Sequence, residues 1–294
     1  MNLNEYKEAG RIAAEALQFG RKLIREDVLI SEVVKKTEKF IAEKGGKCAF
    51  PISIALNNTA AHKYYDSENK DRFQAGDLVK FDVGVHIKGY IADNALTVNI
   101  KDDRDLELIR ASKDALREAI NLMTPGTKIG DIGKAVEEVI VGYGFNPITN
   151  LSGHEVEKYL LHAGLTIPNF DNGSQVELEE GQVFAVEPFS TTGAGKVSSS
   201  GDSGVYRIAE LKSARLGREV LKYIYENYRE LPFTKDWMKD KFDSFKLNSS
   251  FRFLLQQDIL QKYPVLIEKE NERVSQAEHT VIVMDKPIII TKLN

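Results

Sequence analysis

The sequence predicts an α+β fold made of two related halves, with a helical insertion in the second. Three observations carry that prediction. Apolar, β-branched runs flank Lys88-Gly89, stretches of helical periodicity lie on either side, and much of the residue order returns about a hundred positions later.

The chain has 294 residues, of which 42% are hydrophobic, enough for a full core. A net charge of −4 offers no basic excess, so nucleic acid is not expected as the main partner. Cys48 is the single cysteine, so no intrachain disulfide can form. A lone thiol suits a reducing cytoplasm, and Cys48 reads as a small packing residue. No apolar run approaches the ~20 residues of a membrane span, and the polar start Met1-Asn2-Leu3-Asn4-Glu5 is not a secretion signal. A soluble cytoplasmic protein is expected, with no membrane role.

A first helix is predicted from Asn4 to Arg25, collecting Ile12, Leu17, Leu23 and Ile24 on one broad face. A second runs from Ser31, read as its N-cap, to Glu43, where Gly45-Gly46 stops it. Strands follow at Leu78 to Ile87 and Ile91 to Ile100, and a third helix spans Asp103 to Met123 before Pro125-Gly126.

The plan then repeats. A constant separation of 99 residues carries Ile30 to Ile129, Glu38 to Glu137, Ile41 to Ile140 and Gly45 to Gly144. Further on, His62 falls opposite His162, Asp82 opposite Glu187, and Asp93 opposite Glu278. Asp82 and Asp93 are 11 residues apart, but Glu187 and Glu278 are 91 apart. The excess places an insertion at 196–261, within a catalytic unit of 1–294. Helices are expected in it at Arg207 to Glu230, Trp237 to Phe245 and Phe251 to Lys262.

Charged residues inside apolar strands mark the candidate chemistry. With a turn at Lys88-Gly89, Asp82 and Asp93 become diagonal neighbours on one face of a hairpin. On an exposed face they would simply be solvated; in a core they call for a cation. Glu187, followed by Pro188, and Glu278 repeat the anomaly in the second half. Four acids converging from two halves give a local charge of −4, which about two divalent cations would balance. Carboxylates with one imidazole suit Mn, Fe, Co or Zn better than Ca or Mg. His154, after Gly153, is the candidate imidazole, although such a histidine alone is more often a surface or packing residue than a ligand. His62 alone reads as a surface-loop histidine. His86 fits a supporting or a packed position, and His279 faces away from Glu278 on a regular strand.

The run Lys80-Phe81-Asp82-Val83-Gly84-Val85-His86-Ile87-Lys88-Gly89-Tyr90-Ile91-Ala92-Asp93 resembles a motif of the type II methionine aminopeptidases. So do Asn150-Leu151-Ser152-Gly153-His154, Leu161-His162-Ala163-Gly164, Ala185-Val186-Glu187-Pro188-Phe189, Leu231-Pro232-Phe233 and Gln276-Ala277-Glu278-His279-Thr280. Phe81 and Lys88 depart from the usual pattern at positions that are not ligands. Starting almost at the catalytic region, the chain is similar to archaeal members.

The resemblance implies the pita-bread fold, two pseudo-symmetric halves around a dinuclear metal site. It implies Asp82, Asp93, His154, Glu187 and Glu278 as metal ligands, with Glu187 also handling the proton of the attacking water. It gives His62 and His162 the substrate amide and the developing oxyanion, making them catalytic and substrate-binding. Phe50, Pro51, Leu161, His162 and Tyr263 would line a closed pocket for a methionine side chain. Substrates would be peptides and nascent chains with N-terminal methionine and a small second residue, with association to the ribosome as an option. Two other readings stay open: a prolidase-like Xaa-Pro dipeptidase, which usually has a further N-terminal domain, and a pita-bread binding module that keeps the ligands without the activity.

Overall fold

A computed structural model describes residues 2–293. The first half runs α1 (Leu3–Leu23), α2 (Ile30–Glu43), β1 (Lys47–Cys48), β2 (Ser53–Leu56), β3 (Thr59–Ala61), β4 (Leu78–Ile87) and β5 (Tyr90–Asn99). The second runs α3 (Leu106–Asn121), α4 (Ile129–Gly142), β6 (Asn146–Pro147), β7 (Ser152–Glu155), β8 (Thr166–Pro168), β9 (Val183–Val186) and β10 (Phe189–Thr191). Then come β11 (Ser198–Ile208), α5 (Arg218–Tyr228), α6 (Ser244–Gln256) and β12 (Leu260–Ile267). The chain returns through β13 (Val274–Gln276), β14 (His279–Ile282) and β15 (Ile288–Ile289).

The duplication persists in backbone detail. α2 and α4 begin and end 99 residues apart, and the residue before each makes an equivalent antiparallel bridge, Leu29 to Arg72 and Lys128 to Glu177. In the first half Ser53 pairs with Asp82; in the second His154 pairs with Ala185, which sets Ser152 opposite Glu187 if the register continues. The hairpins differ, however. Asp82 lies opposite Ala95 and Asp93 opposite Gly84, the expected diagonal. On the other side Val186 faces His279 and Phe189 faces Gln276, so the constant register brings Glu187 opposite Glu278. By register Glu278 therefore matches Ala95 rather than Asp93.

Amphipathic helices explain the packing. α1 buries Ala9, Ile12, Ala13, Ala16 and Leu17, at helical spacing, against β4 and β5. The main core gathers α1, α2 and the β4–β5 hairpin, and a second joins α3 and α4 to Phe184, Val186 and Val281. The second helix starts at Ile30 rather than being capped by Ser31. Its N-cap residue is Leu29, and the Ser31 hydroxyl donates instead to the Asn69 carbonyl at 2.9 Å.

The stretch 196–261 is less helical than its composition implies. Arg207 and Ile208 end a strand, and the helix begins only at Arg218. Trp237 lies in a single 3₁₀ turn, Asp236–Met238, and α6 spans Ser244–Gln256 rather than starting at Phe251. The last residues of the expected third helix are strand β12. Around that β-pair and the helices, Phe233, Met238, Leu247, Phe251 and Leu254 form a separate apolar cluster. Trp237 Nε1 donates to Glu38 of α2 at 2.9 Å, tying this region to the first half. Among the described residues, no helix is long and apolar enough to cross a membrane.

Candidate active site

Each element delivers one or two side chains to a common cavity of about 70 Å³. β4 and β5 carry Asp82 and Asp93, β7 carries His154, the break between β9 and β10 carries Glu187, and Glu278 precedes β14. The break after Val186 follows from Pro188, which cannot donate to a ladder. Gly153 allows β7 its approach: a Cβ there would sit 2.4 Å from the Ala185 carbonyl oxygen. Gly84, opposite Asp93, leaves room for the Phe50 ring, which a Cβ would meet at 2.1 Å.

The two halves are stitched together beside the acids. Glu278 N–H donates to the Ala95 carbonyl at 3.1 Å. Thr97 accepts from Gln276 N–H at 2.9 Å and donates to the Gln276 carbonyl at 2.7 Å. Thr280 makes the equivalent pair of bonds to Asp93. Gln276 Nε2 then donates to Glu187 at 3.1 Å and Glu278 at 3.4 Å. The acids are thus held by fixed neighbours on strands.

His154 Nε2 lies 3.8 Å from Asp93 and 3.7 Å from Glu187. Those distances are too long for hydrogen bonds but match ligand atoms around one cation, which sit roughly 3–4 Å from each other when each is about 2.1 Å from the ion. Asp93, His154 and Glu278 each offer a ligand atom within 4.8 Å of the others. Asp82 Oδ1, Asp93 Oδ1 and His154 Nδ1 are buried without any hydrogen-bond partner. Unsatisfied buried oxygens on this scale are expensive, so the donor set fits a metal. Burial pushes Asp82 up to about 7 and, together with the charges of its neighbours, holds Asp93, Glu187 and Glu278 well above the usual carboxylate range. Positive charge in their midst reverses that balance. Burial, then the nearby His162, lowers His154 to about 3, leaving a neutral ring able to ligate.

The remaining predicted residues surround this cluster. Phe50, Pro51, Leu161 and Tyr263 line the same cavity, together with His62 and His162. The His62 and Tyr263 rings meet edge-on at 5.2 Å between centroids, and the His154 and His162 rings lie 4.4 Å apart. His62 has φ +62, a strained conformation for a residue with a Cβ, and burial lowers its pKa to about 4. Its Nδ1 is buried and unpartnered. Tyr263 arrives on β12, which pairs with β3 just before His62, and Val205 of β11 and Pro232 join it in that wall.

Other residues fall outside. His86 is packed, its Nδ1 accepting from Gly89 N–H at 3.1 Å in the hairpin turn. His279 faces away, with its Nδ1 2.9 Å from Thr291 Oγ1. Sequence reasoning missed Gln276 and Thr280. Gln276 lies two residues before Glu278 and so shares its strand face, the one signal available.

A buried Asp/His/Glu cluster on two duplicated α+β halves defines a metallopeptidase-like centre, and the family profile agrees. Metallopeptidase family M24 matches residues 4–222, and the chain belongs to that family. It is 42% identical over 286 residues to a methionine aminopeptidase of Archaeoglobus fulgidus, covering 97% of this chain and 96% of the relative. A methionine aminopeptidase of Pyrococcus abyssi is 40% identical over 294 residues, 99% of each chain. The fold is shared with a methionine aminopeptidase structure from Thermotoga maritima, at TM-score 0.73 and 23% identity over 100% of this chain and 98% of that one. It is also shared with a prolidase from Pyrococcus furiosus, at TM-score 0.64 and 18% identity over 100% and 64%. The architecture is therefore the pita-bread fold.

Proposed function

We propose that this chain is a cytoplasmic aminopeptidase that hydrolyses the N-terminal methionine from peptides and nascent chains with a small second residue. The observation that carries the reading is the convergence of Asp82, Asp93, His154, Glu187 and Glu278, with unpaired buried oxygens, on one wall of a cavity whose other wall is apolar. Full-length relatives about 40% identical bear the name of that activity.

The five side chains would hold two divalent ions of the Mn, Fe, Co or Zn type. When bound, such ions polarise a carbonyl and make water a nucleophile near neutral pH. The chain's own residues do the rest. Glu187, at the edge of the cluster and held by Gln276, takes the proton of the attacking water and returns it to the leaving amine. His62 and His162, neutral because burial lowers both, donate to the scissile carbonyl oxygen or accept from the substrate amide. Phe50, Pro51, Leu161 and Tyr263 enclose the first side chain, and aromatic rings favour a thioether by roughly 0.3–1.5 kcal/mol. Crowding by the acids and His154 leaves little room beyond the scissile bond, which selects small second residues.

Mass spectrometry over peptides varied at the first two positions tests this reading. Met-Ala, Met-Gly and Met-Ser peptides should lose one residue, much faster than Met-Lys or Met-Phe peptides. Cleavage of Xaa-Pro dipeptides with Met-Ala peptides untouched would refute it.

A further inference from the structure

A second, larger groove lies behind the candidate metal centre. It has a volume of about 500 Å³, within the range of sites for drug- and cofactor-sized ligands. Its walls are the C-terminal part of α1 and the middle of α3, and its floor is β5 with the start of β14. Leu17 of α1 and Leu116 of α3, equivalent at the 99-residue spacing of the duplication, both line it. The groove thus lies between elements of the two halves, a common place for ligands.

Its chemistry is divided. The floor is apolar: Leu96 and Val98, half-buried on the face of β5 opposite Asp93, with Leu116 and Ile120 beside them. The rim is cationic, with Arg21 from α1, Lys113 and Arg117 from α3, and Lys292 from the last segment. Arg117 is already paired with Asp114 at 2.9 Å and Glu118 at 3.5 Å. Among the described residues, Arg21, Lys113 and Lys292 have neither an ion pair nor a side-chain hydrogen bond. The one acid bordering the groove, Glu278, has its carboxylate turned to the other face, where Gln276 holds it. Partial desolvation and the neighbouring Arg21 lower the pKa of Lys113, although its side chain reaches solvent, with no acid opposing them. Cations from three separate elements face one space without a counter-charge, over an apolar floor bordered by the neutral polar side chains of Gln18, Asn121 and His279. The complement is a multiply charged anion with a flat apolar body.

We propose that this groove binds a nucleoside polyphosphate, its phosphates on Arg21, Lys113 and Lys292 and its base on Leu96, Val98 and Leu116. The bare alternative, inorganic polyphosphate, would use the cations and ignore the floor.

Isothermal titration calorimetry on the intact protein separates the two. The probes are magnesium-saturated ATP, inorganic tripolyphosphate and adenosine. ATP should bind at one site, tripolyphosphate more weakly, and adenosine undetectably. The R21E/K113E variant, altered only at exposed positions, should bind ATP at least about tenfold more weakly. Leu96→Ser should weaken ATP but leave tripolyphosphate unchanged; the near-isosteric Val98→Thr repeats that test with less risk to folding. No ATP binding at millimolar concentration overturns the proposal, as does binding indifferent to R21E/K113E. Equal affinity for tripolyphosphate, with no response to either floor variant, overturns the nucleoside part. The readout is independent of peptide cleavage, so it stands or fails apart from the proposed aminopeptidase activity.

Discussion

The hydroxyl of Thr280 spans the backbone of Asp93, accepting its N–H at 2.7 Å and donating to its carbonyl at 2.8 Å. One side chain from the second half thereby fixes the height of an acid from the first, and Thr97 does the same for Gln276 in the opposite direction. Thr280→Val keeps the shape but leaves both Asp93 backbone groups buried and unpaired. It should cost about 1–3 kcal/mol of stability in urea unfolding, because a buried group without its partner loses its desolvation compensation. Metal affinity, followed by titration, should fall with it.

Gln276 should behave as a positioning residue for the acids. Gln276→Ala removes the donor to Glu187 and Glu278. Outer-sphere losses of this kind typically weaken metal binding by about 10–100-fold. Metal titration followed by calorimetry measures it, and an affinity equal to the parent's would remove Gln276 from the account.

His62→Ala and His162→Ala should separate from the ligand variants. Both should retain bound metal by elemental analysis while turnover of a Met-Ala peptide falls about 10²-fold or more. Loss of metal from both would make them ligands instead.

Glu38 gives a pH-dependent prediction away from the site. Burial raises its pKa to about 7, against the hydrogen bond from Trp237. The folded state therefore keeps a proton that the unfolded chain releases near its ordinary value. Stability should fall as pH rises from about 4.5 to about 7 and level off above. Glu38→Gln stays neutral and can still accept from Trp237. It should stabilise the protein at pH 8 by about 1–3 kcal/mol, towards the lower end because a cavity opens beside Glu38, and bring no gain at pH 4. Thermal unfolding at the two pH values decides.

The hairpin and its acids were legible because β4 and β5 are long, apolar and joined by a two-residue turn, so that alternation fixed which faces Asp82 and Asp93 share. The repeat was legible because helices α2 and α4 kept their spacing to the residue. The internal structure of residues 196–261 was not. β11 is rich in Ser and Gly, with little strand propensity of its own, and exists because β12 pairs with it. Its aromatic residues mimic helical spacing while packing around that β-pair. The role of Gln276 was hidden for another reason: nothing in a lone glutamine states that two carboxylates will converge on it.

Titration of metal-free protein with Mn²⁺ or Co²⁺, with cleavage of a Met-Ala peptide followed in the same samples, tests the central claim most directly. About two ions should bind per chain, with activity appearing as they bind. Asp93→Ala should lose both binding and activity. Full turnover by the metal-free protein, or unchanged metal content and rate in Asp93→Ala, would contradict it.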